Sequence, residues 1–382
     1  MKKVIAFLLC ACLFLVACGK QPEVVTDPTT EATYEPTTEP TTEPTTEPTT
    51  EPTTEPTTEP ETEPATEPIV LNYQHPLTGE ALAEPFTVRP IAVVINNYRE
   101  AQPVLGISHA DIIYEHITEG LGSQTRMLAI YTDLNFDDKL GSIRSARTYS
   151  VSVAMAYNAP YVHCGGSNQG LEKLANSGHP DFDQYYNGNY FYRDAERKAA
   201  GFATEHTLVT EGNMLQRGIS AKKWSLTVPE DTYYGFDFST EADLNGADAT
   251  TITIQYYDKD GKLTIMNYDK NDGLYYGAQT WYKKQGAIAD GNTGDLIGFK
   301  NVLILKTKVT HDTDGSHVYM NLVGSGDGFL ARDGEYIPIQ WHRATEKDPF
   351  TYTTKDGSSV TFGVGKTFIS LLPTRSPEVI FE

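Results

Sequence analysis

The sequence contains few cysteines, and their positions exclude stabilisation by disulfides. Of the four cysteines, Cys10, Cys12 and Cys18 lie near the N-terminus, and only Cys164 lies beyond them. A segment with one cysteine cannot form an intramolecular disulfide, so the folded part must be stabilised by burying an apolar core. His163 precedes Cys164, but neighbouring residues of a strand point to opposite faces, and we therefore expect a structural thiol.

The sequence also lacks the motifs of the common hydrolases, nucleotide-binding enzymes and metalloproteases. Gly-x-Ser-x-Gly, a Walker-type loop and His-Glu-x-x-His are absent, and His116-x-x-Glu119 has no second cluster to complete a metal site. The segments that begin at Asp258 and Asp312 resemble calcium loops but lack the third carboxylate and the distal glutamate. We therefore predict no metal and no cofactor, and favour hairpin turns at both segments.

Basic residues are in the minority, which argues against nucleic acid as a partner. The chain has 30 lysines and arginines against 51 acids, a formal net charge of −21. Residues 1–19 contribute +2, and residues 20–68, with one lysine and thirteen acids, contribute −12, which leaves −11 for residues 69–382. The part that folds is acidic in its own right, so it does not carry the basic surface of a nucleic-acid-binding protein.

The apolar run at the N-terminus is too short to span a bilayer comfortably. Lys2 and Lys3 precede the apolar segment 4–16, as in a secretory signal. The sequence Leu-Val-Ala-Cys at residues 15–18 resembles the bacterial lipobox, where cleavage leaves Cys18 as a diacylated N-terminus. We predict a signal peptide at residues 1–17, lipidation at Cys18, and a location on the extracytoplasmic face of the cell membrane.

A repeat follows the predicted lipid site. Every fourth residue from Glu31 to Glu67 is glutamate, and the tetrad Glu-Pro-Thr-Thr repeats without error from Glu35 to Thr58. A proline in each turn prevents an α-helix, and the tract has too few apolar side chains to form a core. Residues 18–68 are therefore predicted to be a lipidated N-terminus and a disordered stalk that carries the globular part into or beyond the cell wall.

The remaining sequence changes its pattern near residue 227, which predicts two domains and an α+β fold. Residues 69–227 alternate between strands and helices, as in a layered α/β domain. Strands are predicted at 91–95, 126–131 and 161–163, and helices from Ser108 through Ile117 and at 146–157, 168–175 and 208–217.

Residues 228–382 are predicted to form a mainly antiparallel β domain. β-rich runs such as 251–257 and 301–305 are separated by Asp-Gly pairs, which supply the positive φ angles of tight hairpin turns. These pairs occur at 260–261, 272–273, 290–291, 314–315, 327–328, 333–334 and 356–357.

The segment 141–149, Gly-Ser-Ile-Arg-Ser-Ala-Arg-Thr-Tyr, is the strongest candidate for a binding site. Arg144 and Arg147 are three residues apart and are predicted to share one face of a first helical turn. Together with the hydroxyl groups of Ser142 and Ser145 and with the nearby Arg126, they would accept a phosphate or a carboxylate. In the alternative interpretation, internal acids neutralise the arginines.

Four residues are candidate acid/base groups. Glu115 and Glu119 are predicted to lie one turn apart on the first helix, where they either hold the arginines or act as an acid/base or metal-binding pair. His163 lies at a predicted strand end and His206 precedes a predicted helix. Each is a candidate for proton transfer, although a structural role is the commoner one for a histidine.

Several motifs together resemble the YerB-like lipoproteins of Gram-positive bacteria. The resemblance covers nearly all of residues 72–375, and an N-terminal and a C-terminal domain of unknown function are what it implies. Its motifs are His-Pro-Leu-Thr-Gly at 75–79, Arg-Pro-Ile-Ala-Val-Val-Ile-Asn-Asn at 89–97, Ala-Asp-Ile-Ile-Tyr-Glu at 110–115, Thr-Arg at 125–126, Gly-Ser-Ile-Arg-Ser-Ala-Arg at 141–147, Trp341 and Gly-Lys-Thr-Phe-Ile-Ser-Leu-Leu-Pro at 365–373. The family tends to have Ala-Pro-His-Asn where this chain has Ala-Thr-Glu-His-Thr at 203–207, which makes a role for His206 less secure.

A second similarity offers an enzymatic alternative. Residues 127–149 and 161–174 are similar in layout to the LytR-type wall-polymer transferases, which bind a polyprenyl pyrophosphate through arginines. This similarity implies that Arg144 and Arg147 clamp a pyrophosphate in a phosphotransferase or pyrophosphohydrolase, but no counterpart of the full acidic metal site is visible.

We favour a non-enzymatic lipoprotein of the cell envelope that binds a wall polymer or an envelope protein. The predicted anchor, the stalk and the lack of a catalytic constellation support this interpretation. The aromatic segment 185–192, Tyr-Tyr-Asn-Gly-Asn-Tyr-Phe-Tyr, fits a surface for glycans or partners, although aromatic β-strands have the same composition.

Overall fold

The structure, a computed structural model, describes residues 71–119, 124–241, 243–257, 261–281, 284–375 and 378–382. The predicted signal peptide, Cys18 and the stalk lie outside these residues, as do Asp258 and Asp260. In the described part of the chain, no helix has the length and apolar character needed to cross a membrane.

The first part of the chain alternates between strands and helices. Its strands are β1 (Tyr73–Gln74), β2 (Ala81–Leu82), β3 (Ile91–Asn96), β4 (Ile112–Ile117), β5 (Thr125–Tyr131), β6 (Lys139–Gly141), β7 (Tyr161–His163), β8 (Asp181–Asp183), β9 (Tyr192–Arg193) and β10 (Leu208–Glu211). Its α-helices are α1 (Thr148–Ala156), α2 (Asn168–Ser177), α3 (Ala195–Ala199) and α4 (Gly212–Ala221), and single 3-10 turns occur at Arg99–Ala101, Ile107–His109, Gly188–Tyr190 and Thr204–His206.

The second part consists of strands and turns. Its strands are β11 (Asp237–Phe238), β12 (Ala247–Asp248), β13 (Thr251–Gln255), β14 (Lys262–Asp269), β15 (Leu274–Trp281), β16 (Lys284–Ala287), β17 (Gly298–Phe299), β18 (Asn301–Thr307), β19 (Val309–His311), β20 (Val318–Met320), β21 (Gly324–Arg332), β22 (Glu335–Arg343), β23 (Thr351–Thr353), β24 (Thr361–Phe362), β25 (Thr367–Pro373) and β26 (Val379–Phe381).

A central sheet takes strands from both parts of the chain. Within the described ranges it has eleven strands, in the order β12-β22-β21-β18-β25-β4-β5-β3-β7-β8, with β23 paired to β22. The strand β25 lies parallel to both β18 and β4, and through it the two parts join in one sheet. All residues of β3, β4 and β5 are buried, because both faces of the sheet are covered.

Helix α1 covers one face of the central sheet. All nine of its residues are buried, which explains why its sequence has no polar stripe. Tyr114 of β4 and Tyr157 at the end of α1 share a hydrogen bond of 2.7 Å between their hydroxyl groups. From the second part of the chain, the Arg343 side chain donates to the Ser152 carbonyl of α1 at 2.7 Å. The helix therefore packs against strands of both parts.

A second sheet covers the opposite face, and a buried ion pair connects it to β4. This sheet has the order β16-β15-β14-β13-β26, with β17 paired to β15. The Lys262 ammonium of β14 lies 2.8 Å from the Glu115 carboxylate of β4, and both side chains are fully buried. Thr125 and Thr264 donate to the two carboxylate oxygens at 2.6 Å and 2.7 Å. Burial lowers the pKa of Lys262, and the Glu115 carboxylate opposes this effect.

Two amides extend this polar network. The Asn97 side-chain amide donates to Glu115 at 2.8 Å and to the Gln279 side-chain oxygen of β15 at 2.7 Å. Asn97, Glu115 and Gln279 are completely buried. Polar groups in such a place are costly unless their hydrogen bonds are satisfied, so the network requires one relative position of the two sheets.

Two predicted helices are wrong. Residues 112–117 form strand β4, and only a single 3-10 turn, Ile107–His109, lies before it. Both faces of β4 are buried, so its apolar run lacks the alternation that would have distinguished a strand from a helix. Residues 208–217 are divided between β10 and α4, because residues 208–209 pair with β9 and residues 209–211 with β6.

Five of the described Asp-Gly pairs occupy turns, and one of these, 290–291, lies in the turn closed by the bridge between Ala289 and Leu296. The pairs at 272–273, 314–315 and 333–334 connect β14 to β15, β19 to β20 and β21 to β22, and 356–357 lies in the turn after β23. At 333–334 both residues have a positive φ, 58° and 80°, as a type I′ turn requires. The pair 327–328 was predicted as a turn but lies inside β21, where Gly328 faces the Ile304 backbone too closely for a Cβ atom.

The predicted α+β fold is confirmed. Strands 91–96, 125–131 and 161–163 and helices 148–156 and 168–177 lie where the sequence indicated, and the second part is mainly antiparallel. Because both parts contribute to the central sheet, the described residues from 71 to 382 belong to one compact unit. The division into domains at 69–227 and 228–382 stays a prediction.

The buried ion pair leads to a first prediction. Glu115→Gln leaves the Lys262 ammonium buried without a counter-ion, and we expect it to lower the free energy of unfolding by about 3–5 kcal/mol. Lys262→Met should have a comparable effect, and the double variant should recover much of the loss. Urea unfolding of the four proteins provides the double-mutant cycle.

The matched control for this cycle is Glu196→Gln, which breaks a surface ion pair with Lys139. This change should cost at most about 1 kcal/mol, because exposed ion pairs contribute little. If the losses of the two buried variants simply add in the double variant, the two groups are not coupled.

His116 provides a prediction about pH. This buried side chain of β4 packs edge-to-face on Tyr149, with ring centroids 4.7 Å apart. Burial, with a contribution from Arg126 and Arg147, lowers the pKa of His116 from 6.5 to about 3. The unfolded chain therefore binds a proton that the native protein does not, and stability is lost as the pH falls from 6.5 towards 3.

His116→Gln removes this titration. The unfolding free energy of the parent protein, relative to that of the variant, should be about 2 kcal/mol lower at pH 5 than at pH 7.5, as measured by urea unfolding. His311→Gln, at an exposed position, should leave the pH dependence unchanged. A parent–variant difference that does not change with pH would show that His116 has the same pKa in the native and the unfolded protein.

Candidate functional site

The segment 141–147 is extended and crosses the ends of several strands. The Arg144 N–H donates to the Val94 carbonyl of β3, and the Arg144 carbonyl accepts from the Cys164 N–H, each at 3.0 Å. The Ala146 N–H donates to the Gly165 carbonyl at 2.8 Å. Helix α1 begins only at Thr148, so the predicted placement of both arginines in its first turn is wrong. Their side chains consequently have different surroundings.

Arg147 is neutralised inside the protein. Its guanidinium group forms an ion pair with Glu119, which lies in the loop after β4, and it donates to the Ala146 carbonyl at 2.8 Å. Arg126 of β5 lies 3.6 Å from the same Glu119 oxygen and donates to the Ser145 carbonyl at 2.9 Å. Both arginines are more than nine-tenths buried. His317, from the turn between β19 and β20, approaches Glu119 to 3.4 Å.

Arg144 has a different environment. Among the described residues, no carboxylate lies within ion-pair distance of its guanidinium group, whose one hydrogen bond to the protein is a long one of 3.4 Å to the Glu205 carbonyl. Its Nε is buried without a hydrogen-bond partner. Burial, reinforced by the positive charge of Arg126, lowers the pKa of Arg144 to about 10, although the Glu205 carboxylate acts in the opposite direction.

Arg193 increases the positive charge beside Arg144. It lies in β9, is exposed, and lowers the pKa of Arg144 electrostatically. The Arg193 guanidinium group donates to the Thr204 carbonyl at 2.6 Å. Within the described ranges, Arg193 forms no ion pair with a carboxylate. Arg193 could not be identified from the sequence, because nothing in its spacing from Arg144 indicates that β9 and the 141–147 segment lie together.

Several buried polar atoms around Arg147 have no hydrogen-bond partner among the described residues. They are Arg147 Nε, Glu119 Oε2, His116 Nε2, Thr148 Oγ1 and Asp312 Oδ2. Native proteins satisfy nearly all buried polar groups, with water or a ligand where the protein does not. Asp312 and Asp314 raise the pKa of Arg147 electrostatically, while burial lowers it. The site is therefore polar and incompletely satisfied.

The two serines of the motif do not present hydroxyl groups together. The Ser142 hydroxyl is buried without a partner, and the Ser142 carbonyl accepts from the Asn96 N–H at 2.9 Å. Ser145 is half-buried and supplies its carbonyl to Arg126. Of the two serines, only Ser145 contacts an arginine of the described chain, and it does so through its backbone carbonyl.

The predicted acid/base pair is separated by the fold. Glu115 lies in the middle of β4 and belongs to the network between the sheets, whereas Glu119 lies beyond the end of the strand and pairs with arginines. The expectation that they lie one helical turn apart is wrong, because β4 is a strand. In the described residues there is no cluster of three or more histidines, cysteines or carboxylates placed to hold a metal ion.

The two candidate histidines have structural partners. His163 is completely buried, and its ring nitrogens lie 2.7 Å from the Asp181 carboxylate and 2.8 Å from the Gly165 carbonyl. His206 adjoins the Arg144 side. Its Nδ1 accepts from the Asn96 side-chain amide at 2.9 Å, and burial, followed by Arg144, lowers its pKa. Such a neutral histidine leaves its other nitrogen as a hydrogen-bond donor.

The site therefore has three internal guanidinium groups, of Arg126, Arg144 and Arg147, around one paired carboxylate, that of Glu119. Asp312 and Asp314 also act on Arg147, so Arg144 is the one of these three that has no ion-paired carboxylate among the described residues. The guanidinium groups themselves have no acceptor atom, and they can donate several hydrogen bonds to a phosphate or a carboxylate.

Comparison with known proteins supplies the family. Residues 77–225 match the N-terminal domain, and residues 252–369 the C-terminal domain, of a protein of unknown function described as DUF3048. A protein of Bacillus subtilis (strain 168) named "Putative lipoprotein YerB" is 29% identical over 304 residues, which cover 78% of this chain and 86% of that protein.

A solved structure agrees with this match. The crystal structure of YerB protein from Bacillus subtilis is similar with a TM-score of 0.66 and 25% identity, over 78% of this chain and 96% of that chain. The resemblance inferred from the sequence motifs is confirmed, and the chain belongs to the YerB-like lipoprotein family, whose N- and C-terminal domains are of unknown function.

Proposed function

We propose that the protein is a lipid-anchored binding protein of the cell envelope, and that its site at Arg144 accepts an anionic group of a wall polymer or of an envelope protein. The observation that carries this proposal is the state of Arg144. Its guanidinium group is partly buried and has no ion-paired carboxylate in the part of the chain that the structure describes.

The electrostatics of the site favour an anion. A buried charge without a counter-ion is unfavourable, and the lowered pKa of Arg144 expresses this cost. A phosphate or carboxylate between Arg144 and Arg193 would accept charge-assisted hydrogen bonds from both guanidinium groups. His206, whose neutral ring adjoins Arg144, would supply a further donor.

Arg147 and Arg126 have a supporting role in this proposal. Both guanidinium groups already form ion pairs with Glu119, so they would attract an external anion by long-range electrostatics and not by direct contact. Their fixed positive charges would stabilise an anion bound at Arg144 without contacting that anion, because the site is partly desolvated.

The predicted anchor completes the proposal. The related Bacillus subtilis protein is named as a lipoprotein, and Cys18 ends the lipobox of this chain. With lipid at Cys18 and residues 20–68 as a spacer, the site at Arg144 would be presented outside the membrane, among the polymers of the wall.

The anchor is tested by Cys18→Ala. The acyl chains attach to the Cys18 thiol and to the amino group that Cys18 carries after cleavage. The variant should therefore lose incorporation of radiolabelled palmitate and should leave the membrane fraction. Cys164→Ala, which changes the one cysteine of the globular part, should remain labelled. Palmitate labelling that persists without Cys18 would exclude this anchor.

The anion site is tested by Arg144→Gln. Loss of one charge-assisted contact should weaken binding to purified, anionic-polymer-containing wall fragments about tenfold or more, because such contacts contribute about 1.5–3 kcal/mol. Binding is measured by isothermal titration at two salt concentrations, and the affinity of the parent protein should fall as salt increases.

Arg217→Gln is the matched control, since it removes an equal charge from the exposed face of α4. It should bind as the parent protein does. Thermal unfolding should show that Arg144→Gln stays folded, because it breaks no ion pair within the described residues. A folded Arg144→Gln with unchanged affinity for the fragments would overturn the proposal.

A further inference from the structure

A short turn after β8 presents two tyrosines to solvent. The side chains of Tyr185 and Tyr186 are 73% and 82% exposed, which makes them the most exposed large hydrophobic residues of the described chain. Exposed aromatic side chains of this extent cost solvation free energy, and adjacent ones mark a surface for binding.

Asp183 holds the turn in one conformation. Its carboxylate accepts from the N–H groups of Gly165 and Tyr185 at 2.9 Å and 3.1 Å, and its carbonyl accepts from Tyr186 N–H at 3.1 Å and from the Asn187 amide at 2.8 Å. Asp183 is itself almost completely buried. The tyrosines are thus presented by a turn whose backbone is held by hydrogen bonds, so a ligand need not order that backbone.

A polar cleft of about 410 Å³ adjoins the tyrosines. Its lining includes Asn187, Asn189, Tyr190 and Lys222. None of its lining residues is acidic, although the globular part of the chain has a net negative charge. Aromatic rings beside amide groups match the two surfaces of a sugar, whose C–H face packs on a ring while its hydroxyl groups exchange hydrogen bonds with amides. Apart from the tyrosine rings, the apolar part of the lining is the small side chain of Ala221. Because protein partners usually bury a larger apolar area, this lining favours a saccharide over a protein as the ligand.

The tyrosine turn and the Arg144 site share one strand end. The Tyr185 ring lies over Gly165, whose backbone bonds to Ala146, and the Cys164 N–H donates to the Arg144 carbonyl. The Cys164 thiol lies 3.5 Å from the Gln184 side chain, next to Tyr185. Burial and Asp183 raise the pKa of this thiol, while the positive charges of Arg193 and Arg144 act on it in the opposite direction.

We infer that the surface formed by Tyr185, Tyr186 and the adjoining cleft binds a saccharide chain that carries anionic groups, with sugar rings on the tyrosines and an anionic substituent at Arg144. This inference rests on the proposed function for its anionic half, and it names the chemical class of the ligand. The absence of acids from the cleft lining and the position of Lys222 fit the same ligand.

The test uses two defined probes and the full-length protein. They are a β-1,4-linked tetrasaccharide of N-acetylglucosamine and the same tetrasaccharide with a 6-phosphate, titrated by calorimetry. The phosphorylated probe should bind at least tenfold more tightly than the neutral one. The double change Tyr185→Ala and Tyr186→Ala should weaken both probes at least tenfold, whereas Tyr185→Phe with Tyr186→Phe should retain most of the affinity.

Arg144→Gln separates the two halves of the ligand. It should reduce the affinity for the phosphorylated probe to that for the neutral probe and leave the neutral probe unaffected. Tyr233→Ala, a change at an exposed tyrosine elsewhere, is the control and should alter neither affinity. Thermal unfolding checks that all variants are folded.

The outcomes distinguish the inference from the proposed function. If the tyrosine changes leave both affinities intact, or if neither tetrasaccharide binds, the saccharide surface is overturned, while a loss of wall-fragment binding in Arg144→Gln would still support the anion site. If the tyrosine changes act but Arg144→Gln has no effect on either probe or on the fragments, the anionic half and the proposed function fail together. A protein ligand that binds only with intact tyrosines, in place of the sugars, would also overturn the inference.

Discussion

The buried ion pair between Glu115 and Lys262 determines how the two sheets of this protein lie against each other. Its groups come from β4 and β14, which are distant in sequence, and hydroxyl and amide groups satisfy the remaining positions around the carboxylate. Apolar contacts between two sheets allow small shifts of one sheet over the other. A buried charge does not, because it is stable only where its ion-pair and hydrogen-bond partners are in place. The consequence is that strands of the second part of the chain can act as a rigid support for β4 and β5.

That support extends to the candidate site. β4 ends beside Glu119 and β5 begins beside Arg126, on the edge where the 141–147 segment crosses the sheet. Helix α1 begins there and is buried on all sides, so Arg147 at its N-terminus cannot move to meet a ligand. The site is therefore rigid on the Arg147 side and open on the Arg144 side, where the neighbouring Arg193 is exposed.

Some strands and helices of this protein have sequence patterns that are sufficient to predict them, and others do not. Strands 91–95 and 126–131 and helix 168–175 could be predicted, because each has a clear apolar pattern and a boundary residue, such as the Ser167 N-cap that accepts from Gly170. Residues 112–117 could not, since a strand buried on both faces has no alternation. Lys262, the internal partner of Glu115, was equally hard to predict, because in the sequence it follows the Asp-Gly pair 260–261 and lysine is mostly a surface residue.

Arg144 and Arg147 illustrate why the same limit applies to function. Spacing of three residues made them equivalent under a helical interpretation, but backbone hydrogen bonds to Val94 and Gly165 keep the segment extended. In an extended chain, the direction of each side chain depends on local backbone bonds and not on a helical period. One arginine consequently meets Glu119 and becomes part of the folded structure, while the other meets a carbonyl, a neutral histidine and a second guanidinium group. Two arginines of one motif can therefore differ, one being part of the folded structure and the other a candidate for binding, and only the long-range contacts of each one distinguish them.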